Sequence, residues 1–289
     1  MTDMERPKYG EIRYTGEYTE IPERYDYVQL KMDGMYGNLI IENGEWSITS
    51  RTGKVKDFGV WPRRGDKYHL TGEYMKGSHW AKRMGIDENK FYAFDCINYC
   101  GDDISDRNYY TRYRYMKRVV ETLQDITYTV VDWAKDNIRI TNVRTFDRYK
   151  WYRLWSDFVE KRGYEGLIFK NSNEQSDMCR MKKVVEMDYI CVGFEPADEK
   201  SKYSGLVGAV KGTLIDRDVV VECGGLTDEQ RHEYTTNAEK YVGQIFTAKG
   251  NDWFPSGSIR HPKFRQWRDD KTHYECTYKQ VPEDIRIED

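Results

Sequence analysis

A lysine closes a short apolar run in "YVQLKMDGMYGN", Tyr27 to Asn38, one residue ahead of an Asp-Gly turn. An amine attacks only when unprotonated, and a free lysine with a pKa near ~10.4 is unprotonated about one part in a thousand at neutral pH. Bringing it to ~7 takes roughly 4–5 kcal/mol of bias against the ammonium, from burial or a neighbouring cation. A strand end aimed into a pocket with other cations meets that need, which makes Lys31 a candidate nucleophile. Taken alone, K-x-D-G is more often a solvated lysine before a turn.

Further residues of matching chemistry follow in order. "SRTGK" places Arg51 at the end of a hairpin strand, "TGEY" places Glu73 at a strand end, and "FYAFD" places Phe94 among apolar residues. "YEGLIFK" offers Glu165, and "CRMKK" puts Arg180 and Lys182 on the same face of a strand. "IRHPKFRQWRDDK" supplies Arg260, Arg268, Asp270 and Lys271. Each has a plainer role when read singly. The two glutamates suit solvated surface, Phe94 suits core, and the basic residues suit a charged outer face or surface ion pairs. Together they suit attack on a phosphoryl group, where cations meet the oxygens and a metal meets the leaving group.

This ordered set, running from Gln29 to Lys271, resembles the covalent nucleotidyltransferases, and among them the ATP-dependent DNA ligases of short viral and bacterial type. The family pattern is K-x-D-G, S-R-x-G, a strand-end glutamate, an aromatic followed by Asp, E-G-[LIV]-[LIVMF]-[KR], a basic-x-Lys pair and an R-x-D-K ending. The form R-x-P-x-F-x-x-x-R-x-D-K, ending here at Lys271, is similar to DNA ligases in particular. The resemblance implies that Lys31 becomes a lysine-AMP, with Lys182 contacting the α-phosphate and depressing the Lys31 pKa. Arg180 takes the other basic position, where family members usually carry lysine. Arg51 is implied in contact with the ribose or, later, the nick phosphate. Glu73 fits the ribose hydroxyls and, with Glu165, a metal ion. Phe94 is implied to stack on adenine and Gln29 to read its N6 edge, while Arg268, Asp270 and Lys271 orient pyrophosphate. The implied cofactors are ATP and Mg2+ (or Mn2+), and the implied partner is nicked double-stranded DNA bound by a monomer.

One position departs from the pattern. In K-x-D-G-x-R the arginine falls on Tyr36, which keeps a hydroxyl donor and a stacking face but no permanent cation. That departure bears least on lysine adenylylation and most on nick binding. It keeps open the RNA-ligase branch, with a capping guanylyltransferase and a catalytically dead nucleic-acid-binding protein as further rivals. No GxxxxGK[ST] loop is present, the nearest approach being "GEYMKGS", and no GxGxxG follows a strand. The missing four-cysteine zinc module of the NAD-dependent ligases favours ATP over NAD.

Composition sets the frame. A chain of 289 residues has room for two ordinary domains. With 38% hydrophobic residues, 24 tyrosines and 8 tryptophans, it is not a disordered chain. The net charge of −3 hides local basic clusters such as "WPRRGDK" and "TRYRYMKR", so it does not exclude a phosphate-rich partner. No apolar run nears the ~18 residues of a membrane span, and the polar start "MTDMERPKYGEI" is not expected to be a signal peptide. Six cysteines without a CxxC pair read as reduced structural thiols, and five scattered histidines give no zinc pattern. A cytoplasmic setting, in a bacterial or virus-infected cell, is expected.

The spacing predicts strands at "YVQLK", "GNLII" and "EWSITS", with Asn43-Gly44 as a hairpin turn. It predicts further strands at "KYHLTGEYM", "KFYAFDCIN", "GYEGLIFK" and "CRMKKVVEMDYICVGFEP". Helical stripes run through Tyr109, Tyr113, Met116, Val120 and Leu123, then through Trp151, Leu154, Trp155 and Phe158. After about Met187, short strands and one polar helix suit a small barrel of the OB type. The expected class is α+β: an adenylation (nucleotidyltransferase) domain of antiparallel sheets with helices over 1–187, then an OB-fold β-barrel over 188–289.

Overall fold

Period-two alternation of apolar and polar residues dominates the chain, and it builds three sheets among the residues that the computed structural model describes. These are 10–13, 20–78, 81–82, 85–124, 138–140, 143–145 and 150–287. Sheets and few helices make an α+β fold, mostly antiparallel. The chain divides into two compact units, Met1–Lys182 and Lys183–Asp289. The division falls a few residues before Met187, because Val185–Pro196 is one continuous strand.

In the first unit one sheet holds β1 (Gly10–Arg13), β2 (Tyr27–Lys31), β10 (Val143–Thr145), β11 (Gly166–Lys170) and β12 (Met178–Lys182), in the order β1-β12-β11-β2-β10. Val28, Leu30, Leu167, Phe169 and Met181 fill one core with Trp151, Trp155 and Val159. Those last three ride on helix α2 (Trp151–Leu154), which continues as a π-helical turn over Trp155–Glu160. At α-helical pitch every fourth residue drifts about 40° around the axis. The wider π turn offsets that drift and keeps all three under the sheet. The expected helical stripe is therefore present, split between two helix types.

The second sheet holds β3 (Met35–Glu42), β4 (Glu45–Ser50), β5 (Val55–Val60), β6 (Tyr68–Tyr74), β7 (Phe91–Tyr99), β8 (Asp102–Asp103) and β9 (Ile138–Ile140), ordered β5-β4-β3-β6-β7-β8 with β9 on β7. Asn43 and Gly44 both take positive φ, 55° and 84°, the primed-turn geometry that matches strand twist. Helix α1 (Tyr109–Gln124) lays Met116, Val119, Val120 and Leu123 onto Leu39, Ile41, Ile48, Leu70 and Phe91 of this sheet. Each such side chain, once buried, contributes roughly 1.5–3 kcal/mol.

The second unit is a five-stranded antiparallel sheet of β13 (Val185–Pro196), β14 (Val207–Leu214), β15 (Arg217–Cys223), β16 (Ile245–Gly250) and β17 (Lys263–Arg268), ordered β15-β14-β13-β16-β17. Gly224, just past β15, makes an isolated parallel bridge to Lys263 of β17. The polar helix expected here is α3 (Asp228–Thr236). It is started by a capping box in which the Thr227 hydroxyl accepts from the Gln230 N–H and the Gln230 side chain accepts from the Thr227 N–H. All six cysteines are free thiols. Among the described residues no helix is long and apolar enough to cross a membrane.

Candidate active site

Strand register gathers the candidate residues that the sequence scatters. Gly166 lies opposite Lys31 on one side and Lys182 on the other, so the two lysines flank it in a single row across β2, β11 and β12. The next row is Gln29, Ile168 and Arg180, and the third is Tyr27, Lys170 and Met178. Alternate residues share a face, so Lys31, Gln29, Lys182, Arg180 and Lys170 all stand on the face away from the Trp151 core. Gly166 has no room for a side chain, because a Cβ there would sit 2.0 Å from the Met181 carbonyl oxygen. The two lysines therefore stand on either side of a residue with no side chain.

Glu165, immediately before that glycine, bridges them. One carboxylate oxygen takes the Lys31 ammonium in a short contact, and the other takes Lys182 Nζ at 2.6 Å. The three side chains are 12–21% exposed, so the group is shielded but open at one side. Burial pushes the Glu165 carboxyl up, yet Lys31 and Lys182 outweigh it and hold it below its ordinary value.

The second sheet contributes a further row. Tyr36, Glu73 and Tyr92 form one row across β3, β6 and β7. Burial drives the Glu73 carboxyl up, Lys31 pulls it down, Glu165 pushes it up again, and Arg51 and Lys182 pull it down, leaving it at about 7. Glu73 thus feels the charges of Lys31, Glu165 and Lys182 on the first sheet as well as Arg51. The Arg51 guanidinium lies 4.8 Å from the Tyr36 ring centre, within cation–π reach. Tyr36 in turn sits 6.0 Å, centre to centre, from Phe94, which is half-buried and not core. So Tyr36 does meet a cation, supplied by Arg51 from the turn after β4.

Two groups here are conspicuously unsatisfied. Gln29 is 1% exposed, and neither its amide nitrogen nor its oxygen has a hydrogen-bond partner. One carboxylate oxygen of Glu73 is likewise buried without one. Leaving a buried amide unpaired costs about 1–3 kcal/mol, a cost that a bound polar ligand removes.

Glu73 also sets a pH dependence. The folded chain keeps its proton up to about 7, whereas an unfolded glutamate releases it near 4.5. The folded state therefore binds more protons in that window, and stability falls as pH rises from about 4.5 through about 7. The loss is on the order of 3 kcal/mol at most. Urea unfolding at about pH 5 and about pH 8 is expected to show a larger drop for the wild type than for Glu73→Gln. Equal drops would contradict the burial of an unpaired Glu73.

Sequence reading passed over Lys170. It is 2% exposed, 3.8 Å from the Tyr109 ring centre and 5.7 Å from that of Phe94, and burial lowers its pKa to about 7. Asp95, which follows Phe94, is clamped by Arg112 through two hydrogen bonds of 2.8 Å. This buried group backs the Phe94 ring. The parity of "EGLIFK" held the signal, since Lys170 shares a face with Gly166 and Ile168.

Arg268, Asp270 and Lys271 form a separate cluster in the second unit. Arg268 donates to Asp270 at 2.7 and 2.6 Å, which holds the Asp270 carboxyl down at about 2. Asp188 underlies both cations, 3.6 Å from Arg268 and 3.8 Å from Lys271, and accepts from the Thr247 hydroxyl at 2.5 Å. No sequence pattern singled out Asp188.

Among the described residues no group of three or more His, Cys, Asp or Glu side chains gathers. Glu165 and Glu73 alone fit a hard divalent ion of the kind held by one or two carboxylates with water and substrate phosphates completing the shell.

No family model matches the sequence, and no curated protein matches it. Solved structures do. One described as "Pmar-Lig_Pre." has a TM-score of 0.62 at 18% identity over 85% of this chain and 64% of that one. "Pmar-Lig_PreS3" has a TM-score of 0.62 at 18% identity over 84% and 63%. This chain thus spans less than two thirds of either. A third, described as "DNA binding with a minimal scaffold: Structure-function analysis of Lig E DNA ligases", has a TM-score of 0.60 at 15% identity and covers 90% of this chain and 99% of that one. The fold of this chain is similar to the fold of a Lig E DNA ligase across nearly the whole length of both.

Proposed function

We propose that this protein is an ATP-dependent DNA ligase that seals nicks in duplex DNA through a lysine-AMP intermediate. The observation that carries the reading is the row Lys31–Gly166–Lys182 with Glu165 shared between the lysines, beside the unpartnered Gln29 amide on the same face. A nucleophilic amine and a second cation suit an α-phosphate, and a buried free amide suits the edge of a purine. Lys31 Nζ, freed from Glu165 and deprotonated, attacks the α-phosphorus. A P–N bond forms and pyrophosphate leaves. The 5′-phosphate at the nick then displaces the lysine and takes AMP, and the 3′-hydroxyl displaces AMP to close the strand.

In this reading Lys182 and Arg180 meet phosphoryl oxygens, Gln29 reads the adenine N6 edge, Phe94 stacks on the base, and Glu73 meets the ribose. Arg51, stacked on Tyr36, meets the ribose or the nick phosphate. Glu165 and Glu73 would hold Mg2+ or Mn2+, which supplies charge neutralisation of the phosphates when bound. The first unit is the adenylation domain. The second is an OB-type domain, whose Arg268, Asp270 and Lys271 orient pyrophosphate. The protein acts as a monomer on nicked duplex DNA inside the cell.

The test is conversion of a 5′-labelled nicked duplex to full-length strand with ATP and Mg2+, beside GTP and NAD controls and nicks flanked by RNA. Sealing with ATP on DNA supports the reading. Sealing only of RNA strands would move the protein to the RNA-ligase branch, and adenylate-free binding of DNA would leave a non-catalytic protein.

A further inference from the structure

Strand β5 is built inside out. It is the edge of its sheet, and in register with β4 its Gly59 lies opposite Trp46 and its Asp57 opposite Ile48, the two core-facing residues of that strand. A Cβ at Gly59 would come within 2.5 Å of the Trp46 ring, so the indole takes its place. Asp57 is spoken for by the Tyr74 hydroxyl at 2.5 Å and by Lys76 at 3.5 Å. The apolar residues of β5 consequently point the other way. Val55, Phe58 and Val60 are 53%, 75% and 70% exposed. Edge strands are normally blunted by charge, and an exposed apolar patch with a polar rim marks an interaction surface.

Its position and rim say what it takes. Phe58, Ser47 and Ile40 lie side by side across β5, β4 and β3, and Ile40 shares its face with Tyr36. The patch therefore continues the sheet face that carries Tyr36 and Glu73. From Tyr36, Phe58 is four residues along and two strands across, on the order of 16 Å. Segment 54–66 brings Lys54, Lys56, Arg63 and Arg64 beside it, against Asp57 and Asp66, both engaged inside the fold, while Glu45 and Glu42 lie in the row of Val60 at its hairpin end. The turn bearing Arg63 and Arg64 is tied down. Trp61 is 2% exposed, its backbone N–H donates to the Gly44 carbonyl at 2.8 Å, and its indole N–H donates to Asp66 at 2.9 Å.

We propose that the outer face of β5, with the Arg63–Arg64 turn, is a platform for duplex DNA on one side of the nick, a role that rests on the ligase reading above. Phe58 and Val60 lie against the sugar edges of the minor groove, where apolar side chains are accepted, and the arginines take flanking phosphates. At ~3.4 Å per base-pair step, the platform meets the duplex about five base pairs from the nick.

The test is equilibrium binding of nicked duplexes by fluorescence anisotropy across a salt series, using the full chain. Phe58→Ser with Val60→Ser is expected to raise Kd about tenfold. Arg63→Ala with Arg64→Ala is expected to reduce the slope of log K against log salt by about 2. Shortening one arm of the duplex below about five base pairs is expected to erase the difference between wild type and the Ser variants, whereas shortening the other arm is not. Unchanged Kd and slope in both double variants would overturn the platform. So would a dimer in sedimentation that the Ser variants abolish, because the patch would then seat a second copy. Transfer of AMP to the protein from ATP without DNA is read in parallel. Its absence in the wild type strikes the ligase reading, while its presence alongside unaltered DNA binding strikes the platform alone.

Discussion

Lys31→Ala is expected to lower ATP-driven sealing by roughly 10⁴–10⁶-fold, the scale on which enzymes lose rate with their nucleophile. Lys31→Arg is expected to be as inactive, because a guanidinium stays protonated and cannot attack. Neither change should unfold the chain, since Glu165 retains its 2.6 Å pair with Lys182. A nick whose 5′-phosphate already carries AMP needs no lysine nucleophile. Lys31→Ala should therefore seal such a pre-adenylated nick while failing with ATP and an ordinary one. Failure on both substrates would mean that Lys31 matters to binding as much as to covalent chemistry.

Glu165→Gln is the second large effect, and it separates stability from chemistry. The variant leaves two ammonium groups flanking Gly166 with no anion between them. Breaking a shielded charge pair on one side costs about 3 kcal/mol. The variant is therefore expected to melt earlier, and its adenylylation to fall about 10³-fold if Glu165 holds the metal as proposed. Tripolyphosphate without metal supplies the missing anion. It is expected to raise the melting temperature of Glu165→Gln more than that of the wild type, where it must first displace a carboxylate. Equal stabilisation of both proteins, followed by calorimetric melts, would show that the phosphate does not bind between the lysines.

Much of this site was legible because strands announce themselves by alternation. The parity of "CRMKK" put Arg180 and Lys182 on a single face, as the structure has them, and the register shows Gln29 and Lys31 sharing a face in the same way. Sequence order does not give register, however. Nothing in the chain says that Lys31 and Lys182 flank the same glycine, or that Glu165 joins them. Buried support is similarly hidden. Lys170 reads as one more strand-end lysine until Tyr109, Phe94 and the Arg112–Asp95 pair are seen around it. Strand β5 escaped notice for a physical reason. Its core-facing positions are Gly59 and Asp57, so the alternation that marks other strands runs backwards there. In the second unit, Asp188 sits in "VVEMDYI" like any strand acid, and only register with Thr247 places it beneath Arg268. Tyr36 is the reverse case. The sequence marked the departure, and the structure sets the Arg51 guanidinium 4.8 Å from the ring centre of the tyrosine.

A ligase of this kind must take AMP onto Lys31 before it can seal a nick. The protein, first treated with pyrophosphate to clear any bound adenylate, is incubated with ATP and Mg2+ and its intact mass is measured, followed by peptide mapping. The expected result is a gain of one AMP that maps to the peptide holding Lys31, is absent with GTP and is reversed by fresh pyrophosphate. No gain in freshly cleared wild-type protein, or an AMP mapped to another residue, would contradict it.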